Sequence, residues 1–178
     1  MLSVAAIMLG AAALDEAKGY LRVVGGDEDA LLARLLGSAA ALGERFTGQA
    51  WIAREHVGVL AASPAWARLG AGPVRAVTGV AALPAAGEAV ALAAAEYAVD
   101  IDASGDGWVR ILSGHTGCVR VTFAAGLAAE WAELPEPLRQ GAVRLAAHFY
   151  THRDDAEGAG PPAAVTALWR PFRRMRLI

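Results

Sequence analysis

The clearest hydrophobic pattern in the chain predicts a long helix over residues 28–47. Apolar side chains recur there at steps of three and four residues, as on the buried face of a helix: Leu31, Leu32, Leu35, Leu36, Ala39, Leu42 and Phe46. Asp27 is placed to cap the first turn, and Gly48 is a residue that commonly ends a helix. We therefore expect one face of this helix to lie in the core.

Three further segments show weaker helical signals. Residues 14–21 carry Asp15 and Glu16 in their first turn, where the helix dipole favours acidic side chains. Residues 137–152 follow a proline-containing start and repeat apolar residues on one face: Leu138, Ala142, Leu145, Ala146 and Phe149. A short last helix is predicted to begin near Pro162.

Between residues 51 and 123 the apolar runs shorten to the length of strands and are separated by Gly, Pro and Asp clusters. The predicted strands are 51–60, 74–80, 97–101, 108–112 and 119–123. In the last of these, apolar residues alternate with Arg120 and Thr122, which predicts one buried and one polar face. The runs together predict a small antiparallel sheet.

These elements predict an α+β fold that is mainly a helical bundle, formed by the long helix and the C-terminal helices, with the small antiparallel β-sheet as an insertion. Residues 1–160 would form one domain. A polar, glycine-containing hinge at 154–160 would lead into residues 161–178, a C-terminal docking helix and tail. The apolar N-terminal stretch has no Lys or Arg before Lys18, so an extended segment packed on this or a neighbouring subunit is favoured over a signal peptide.

Composition narrows the classes of function. The chain is 56% hydrophobic but only 7% aromatic, so its core gains from contact with neighbouring subunits. A net charge of -2 provides no general basic field for a nucleic-acid backbone. The single cysteine, Cys118, excludes an intrachain disulfide framework and a multi-thiolate zinc site, and fits assembly in a reducing cytoplasm.

Histidine and acidic residues give three candidate sites, each with a simpler alternative. His148 and His152 could share a metal, but the glutamate of the H-E-x-x-H pattern is absent, so a surface pair is favoured. Asp100, Asp102, Ser104 and Asp106 resemble half of a calcium loop, yet position twelve is Ile111, which favours a hairpin turn. Asp106, Ser113 and His115 are triad residue types without a nucleophile elbow. We therefore predict no enzyme activity, no cofactor and no metal site.

An arginine-rich, aromatic run ends the chain: Trp169, Arg170, Phe172, Arg173, Arg174 and Arg176. Such a run can contact nucleic acid through phosphates and base stacking. It can equally dock on a protein, with the aromatic rings in a pocket and the arginines paired with its acidic rim.

The order of elements and several motifs resemble the head-tail connector (adaptor) family of tailed phages and gene transfer agents. The opening residues 14–23 and the acidic 27–29 before the long helix resemble the start of that family, and residues 72–77 and 97–100 resemble two of its strands. The most specific similarity is Leu134-Pro135-Glu136-Pro137-Leu138-Arg139-Gln140, followed by residues 147–150 and a Pro-led final helix closing on 173–177. Departures occur at Ala13, at His152 and in the loop 61–72.

This resemblance implies a non-enzymatic homo-oligomeric ring of about twelve subunits in the neck of a virion or phage-like particle, assembled in the bacterial cytoplasm. The ring would bind the portal protein and a tail-side neck (stopper) protein, DNA would pass through its lumen without specific binding, and no membrane would be involved. The six residues of the C-terminal run would bind the portal or an adjacent subunit. Two alternatives stay open: a DNA-packaging or DNA-binding accessory protein using the basic tail, and a small metal-dependent hydrolase built on His148 and His152.

Overall fold

The computed structural model describes residues 2–84, 87–152 and 161–174. Within these ranges the chain forms eight strands and four α-helices. They are β1 (Leu2–Val4), α1 (Gly10–Leu21), α2 (Asp29–Thr47), β2 (Arg54–Ala61), β3 (Ala67–Arg68), β4 (Val74–Leu83), β5 (Val90–Ala91), β6 (Tyr97–Ile101), β7 (Gly107–Ile111), β8 (Cys118–Ala125), α3 (Glu136–Thr151) and α4 (Ala163–Trp169).

The chain divides into two compact units, each made of two separate stretches of sequence. A sheet unit combines residues 1–6 with 53–127, and a helical unit combines residues 7–52 with 128–178. All eight strands lie in the first and all four helices in the second. The predicted hinge at 154–160 and the domain boundary predicted at residue 160 both lie outside the described residues. The described residues before and after this stretch belong to the same helical unit.

The sheet unit contains two antiparallel sheets. Five strands are ordered β1-β2-β8-β4-β5, and three are ordered β3-β7-β6. Strand β8 is central, with Val121 and Phe123 fully buried while Arg120 is exposed, so the alternation read from the sequence is confirmed. The sheet unit has a hydrophobic core formed by ten buried residues: Leu69, Val74, Val80, Leu92, Val109, Ile111, Val119, Val121, Phe123 and Ala125.

The prediction of a mainly helical bundle with a small inserted sheet is wrong, although the α+β class stands. All five predicted strands form, but β1, β3 and β5 join them to make two sheets with a separate hydrophobic core. These three additional strands are two or three residues long, too short to show a two-residue period. These short strands form because they pair with longer strands far away in the sequence. The local pattern does not reveal such pairing, and it makes the protein sheet-rich.

In the helical unit, α2 packs against α3, and α1 and α4 pack against this pair. Helix α2 ends at Gly48, whose φ of 69° suits glycine and whose N–H donates to the Glu44 carbonyl at 2.8 Å. The buried face contains Leu36, but Leu42 is 39% exposed. The buried face is therefore centred on a slightly different line of residues from the predicted one: Leu32, Leu36, Ala39, Ala40, Gly43 and Thr47.

The N-terminal stretch is partly extended and partly helical. Residues 2–4 form β1 and pair with β2, with Val4 opposite His56, whereas α1 begins at Gly10, four residues before the predicted start. In the described parts of the chain, no helix combines the length and the apolar character needed to cross a membrane.

Candidate docking site at the C-terminal segment

The C-terminal segment 163–174 is held in place by a buried tryptophan. Trp169, the last residue of α4, is fully buried, and its indole Nε1 donates to the Leu138 carbonyl of α3 at 3.3 Å. The close approach is possible because α3 has a glycine here: a Cβ on Gly141 would lie 2.1 Å from the Trp169 Nε1. The Trp169 side chain therefore packs α4 directly against the backbone of α3.

A second tryptophan completes this core. The ring of Trp51 meets that of Trp169 edge-on, with centroids 5.5 Å apart and planes at 74°. The Trp51 Nε1 donates to the Thr47 hydroxyl at 3.0 Å, and a Cβ on Gly43 would lie 2.1 Å from the Trp51 ring. Helix α2 therefore receives Trp51 at Gly43 in the way that α3 receives Trp169.

Two hydrogen bonds fix the chain beyond α4. The Arg174 N–H donates to the Thr47 carbonyl at 2.8 Å, and the Gln49 side-chain amide donates to the Phe172 carbonyl at 2.6 Å. Residues 163–174 are therefore fixed on the helical unit by contacts within the chain. The sequence shows the aromatic residues but not the space that glycines leave for them.

An open groove remains on the surface beside this core. It is lined by Phe46, Thr166, Arg170 and Arg173, and we call it the arginine groove. Arg170 and Arg173 are exposed, and the Arg173 guanidinium carbon lies 5.8 Å from the centre of the Phe46 ring. Within residues 2–84, 87–152 and 161–174, neither arginine forms an ion pair with a carboxylate. Two cationic side chains beside an aromatic ring suit an acidic protein surface.

The predicted docking residues therefore occupy different places. Trp169 lies in the chain's own core, Phe172 and Arg174 are half-buried, and Arg170 and Arg173 are exposed at the groove. Arg176, also a predicted docking residue, lies outside the described residues. Phe46 and Thr166 were not among the docking residues predicted from the sequence. Phe46 was assigned to the helix core, and its position at the last turn of that apolar stripe was the only available signal.

The paired histidines on α3 contact each other. The rings of His148 and His152 have centroids 4.3 Å apart, and the His152 Nδ1 lies 3.0 Å from the His148 carbonyl and 2.8 Å from the Thr151 hydroxyl. Across the described ranges, no group of three or more His, Cys, Asp or Glu side chains is arranged to hold a metal ion.

The acidic loop between β6 and β7 forms the predicted hairpin turn. One Asp102 carboxylate oxygen accepts from the Ser104 hydroxyl at 2.6 Å and from the Asp106 N–H at 3.0 Å, and the other accepts from the Trp108 indole at 3.1 Å. These donors, Ser104 first, lower the pKa of Asp102 well below its ordinary value. The carboxylate thus closes the turn by binding donors of its own chain.

Two of the three triad residue types, Asp106 and His115, form separate ion pairs. Asp106 forms an ion pair with Arg68 at 2.5 Å, whereas His115 lies 3.3 Å from the Glu96 carboxylate. The Ala93 N–H and the His115 side chain, in that order, hold the pKa of Glu96 below its ordinary value. With Asp106 and His115 in different ion pairs, the acid and base of a triad are not assembled.

Comparison with known proteins gives matches among solved structures. No protein-family model matches the chain, and no curated protein does. A chain from the neck of an empty GTA particle, computed with C6 symmetry, is 28% identical and superimposes with a TM-score of 0.80. A chain from the virion of a native gene transfer agent (GTA) particle is 29% identical with a TM-score of 0.76, and one from the native neck, computed with C12 symmetry, is 29% identical with a TM-score of 0.75.

These matches extend over the whole chain. In each case all of this chain and 97% of the matched chain are covered. The matched chains are parts of a particle, and the C6 and C12 symmetries used for its neck indicate ring-shaped oligomers there. The similarity therefore supports a structural protein of the neck of a gene transfer agent or phage-like particle, in which it is part of an oligomeric ring.

Proposed function

We propose that this protein is a head-tail adaptor. About twelve copies would form a ring between the portal protein and a tail-side neck (stopper) protein, with DNA passing through the lumen without specific binding. The observation that carries the proposal is the likeness to GTA neck chains over 100% of this chain and 97% of theirs. A shared insert or a single shared motif would not produce agreement over that length.

The chemistry of the exposed site agrees with docking as the function. The arginine groove presents Arg170 and Arg173 beside the Phe46 ring, a combination of side chains that is enriched at protein interfaces. The acidic loop and His115 are engaged with side chains and backbone groups of their own unit. The contacts of the acidic loop and of His115 are therefore explained by the fold, without a substrate.

Deletion of the gene in the cell that makes the particle tests this function. The expected result is DNA-filled heads and separate tails, with few joined particles, because the ring would join the two. Supplying the gene again should restore tailed particles. Normal numbers of tailed particles after deletion would contradict the adaptor function.

A DNA-binding accessory protein remains a second candidate because Arg170 and Arg173 have no carboxylate partner among the described residues. The net charge of -2 disfavours it. A gel-shift titration of duplex DNA at several salt concentrations separates the two functions. Tight binding that weakens steeply with salt and is lost in Arg170→Ala/Arg173→Ala would favour the accessory function.

A further inference from the structure

A second groove lies between α1 and α3 of the helical unit. Glu16, Tyr20, Gln140 and Val143 line it, and we call it the glutamate groove. Tyr20 is 56% exposed, so its ring is open to a contact from outside the chain. The Gln140 side chain donates to the Glu136 carboxylate at 3.4 Å, which places a second acidic residue on the same side of α3.

The glutamate groove offers two carboxylates, those of Glu16 and Glu136. Glu16 accepts from the Trp131 indole at 2.8 Å and lies 3.9 Å from Arg139. Its side chain is 34% exposed, and Glu136 is exposed. Among the described residues Glu136 forms no ion pair, so its carboxylate can attract a cation that arrives from outside.

Helix α4, which contributes Thr166 to the arginine groove, and the glutamate groove lie on opposite sides of α3. Trp169 of α4 contacts α3 at Leu138 and Gly141, whereas the glutamate groove is formed at Gln140 and Val143. With about 100° of rotation per residue, the centres of these two pairs are about 160° apart around the helix axis. One helical unit therefore presents arginines beside an aromatic ring on one side and carboxylates beside another aromatic ring on the other.

We propose that the arginine groove of one copy of this chain docks on the glutamate groove of the next copy. This inference rests on the proposed ring function and identifies the surfaces that would form the ring. A closed ring requires each subunit to offer two different, complementary surfaces. Arg170 and Arg173 of one copy would face Glu16 and Glu136 of its neighbour, with a guanidinium over the Tyr20 ring.

Cross-linking in assembled particles tests the contact. In a Cys118→Ser background, Tyr20→Cys and Thr166→Cys put one thiol in each groove of the same chain. A short bis-maleimide should then link copies into a ladder longer than trimers on a denaturing gel. The matched control replaces Thr166→Cys by Ser38→Cys, at an exposed position of α2 in neither groove, and should remain monomeric.

The outcomes separate this inference from the proposed function. Particles that contain the chain but give only monomers with the Tyr20→Cys/Thr166→Cys pair would overturn the docking contact and leave the adaptor function standing. Absence of the chain from the particles would overturn both. A ladder in the Ser38→Cys control as long as that of the test pair would also overturn the contact, since linking would then not depend on the grooves.

A charge-reversal rescue identifies the partner. Arg170→Glu/Arg173→Glu should reduce tailed particles about tenfold, because like charges would then meet across the contact. Adding Glu136→Arg to the same chain should recover a large part of the loss. Failure of Glu136→Arg to rescue would overturn a second copy as the partner and indicate that the arginines dock on another protein, such as the portal.

Discussion

The indole Nε1 of Trp169 lies 2.1 Å from the point where a Cβ on Gly141 would stand. The same relationship recurs between Trp51 and Gly43, again at 2.1 Å. Both glycines lie within helices, where glycine is less favourable than alanine by about 0.5–1 kcal/mol. Glycine is nevertheless present at both positions, because any larger side chain there would overlap a tryptophan ring.

Gly141→Ala should therefore destabilise the protein despite the better helix propensity of alanine. Overpacking against the Trp169 ring is expected to lower the free energy of unfolding by about 1–3 kcal/mol. Gly37→Ala is the matched control, because α2 leaves open space there; it should raise that free energy by about 0.5–1 kcal/mol. Urea unfolding followed by circular dichroism measures both, and equal stabilisation by the two substitutions would contradict the fit.

Trp169→Ala should lower the free energy of unfolding of the helical unit. Removing a fully buried tryptophan is expected to cost about 3–5 kcal/mol, since the cavity would lie between three helices. Arg170→Ala, one residue later and exposed, should change the stability by less than about 0.5 kcal/mol. Thermal melts of the two purified variants make the comparison. An unchanged melting temperature for Trp169→Ala would contradict the place of this tryptophan in the core of the helical unit.

The position of the buried face of α2 can be tested with two aspartates. Leu36→Asp would place a charge where the native side chain is 1% exposed, at a cost of several kcal/mol, about as much as a small protein's whole stability. We expect no cooperative melt at 25 °C or above. Leu42→Asp, at a position that is 39% exposed, should keep one. The reverse order of damage would show that the predicted face, centred nearer Leu42, was right.

The turn closed by Asp102 should lose stability at low pH. Its pKa is lowered in the folded protein, first by the Ser104 side chain and then by Trp108, so the folded state favours the ionised carboxylate. The resulting stability is present above the ordinary pKa of 3.8 and is lost as the pH falls through the lower folded value. In an NMR titration the Asp102 carboxyl should titrate below 3.8, and Ser104→Ala should raise its midpoint. A midpoint at or above 3.8 in the wild type would contradict the turn geometry.

Local pattern predicted the helices and the longer strands because their periods extend over many residues. The starts of α2 and α3 lie within one residue of the predictions, and five strands fall where apolar runs were read. The balance between helices and sheets was not predictable in this way. Strand β3, for example, has two residues and exists because it pairs with β7 at Val109.

The candidate site was only partly visible in the sequence. The run 169–174 was predicted to bind a partner, and within it Trp169 lies in the chain's own core. The information lay in Gly43 and Gly141, which sit on buried helix faces and admit the rings. Nothing in the local pattern indicates which ring each glycine receives, because the partners are up to 28 residues apart along the chain. The glutamate groove was missed for the same reason, since it joins α1 to α3.

The adaptor function is tested most directly by a cryo-electron microscopy reconstruction of the neck of the particle that carries this gene. We expect a ring of about twelve copies of this chain between the portal and the tail-side neck protein, with an open lumen on the axis. The fold of each subunit should contain both the sheet unit and the helical unit. A neck in which another protein fills the whole space between portal and tail, with no density for this chain, would contradict the adaptor function.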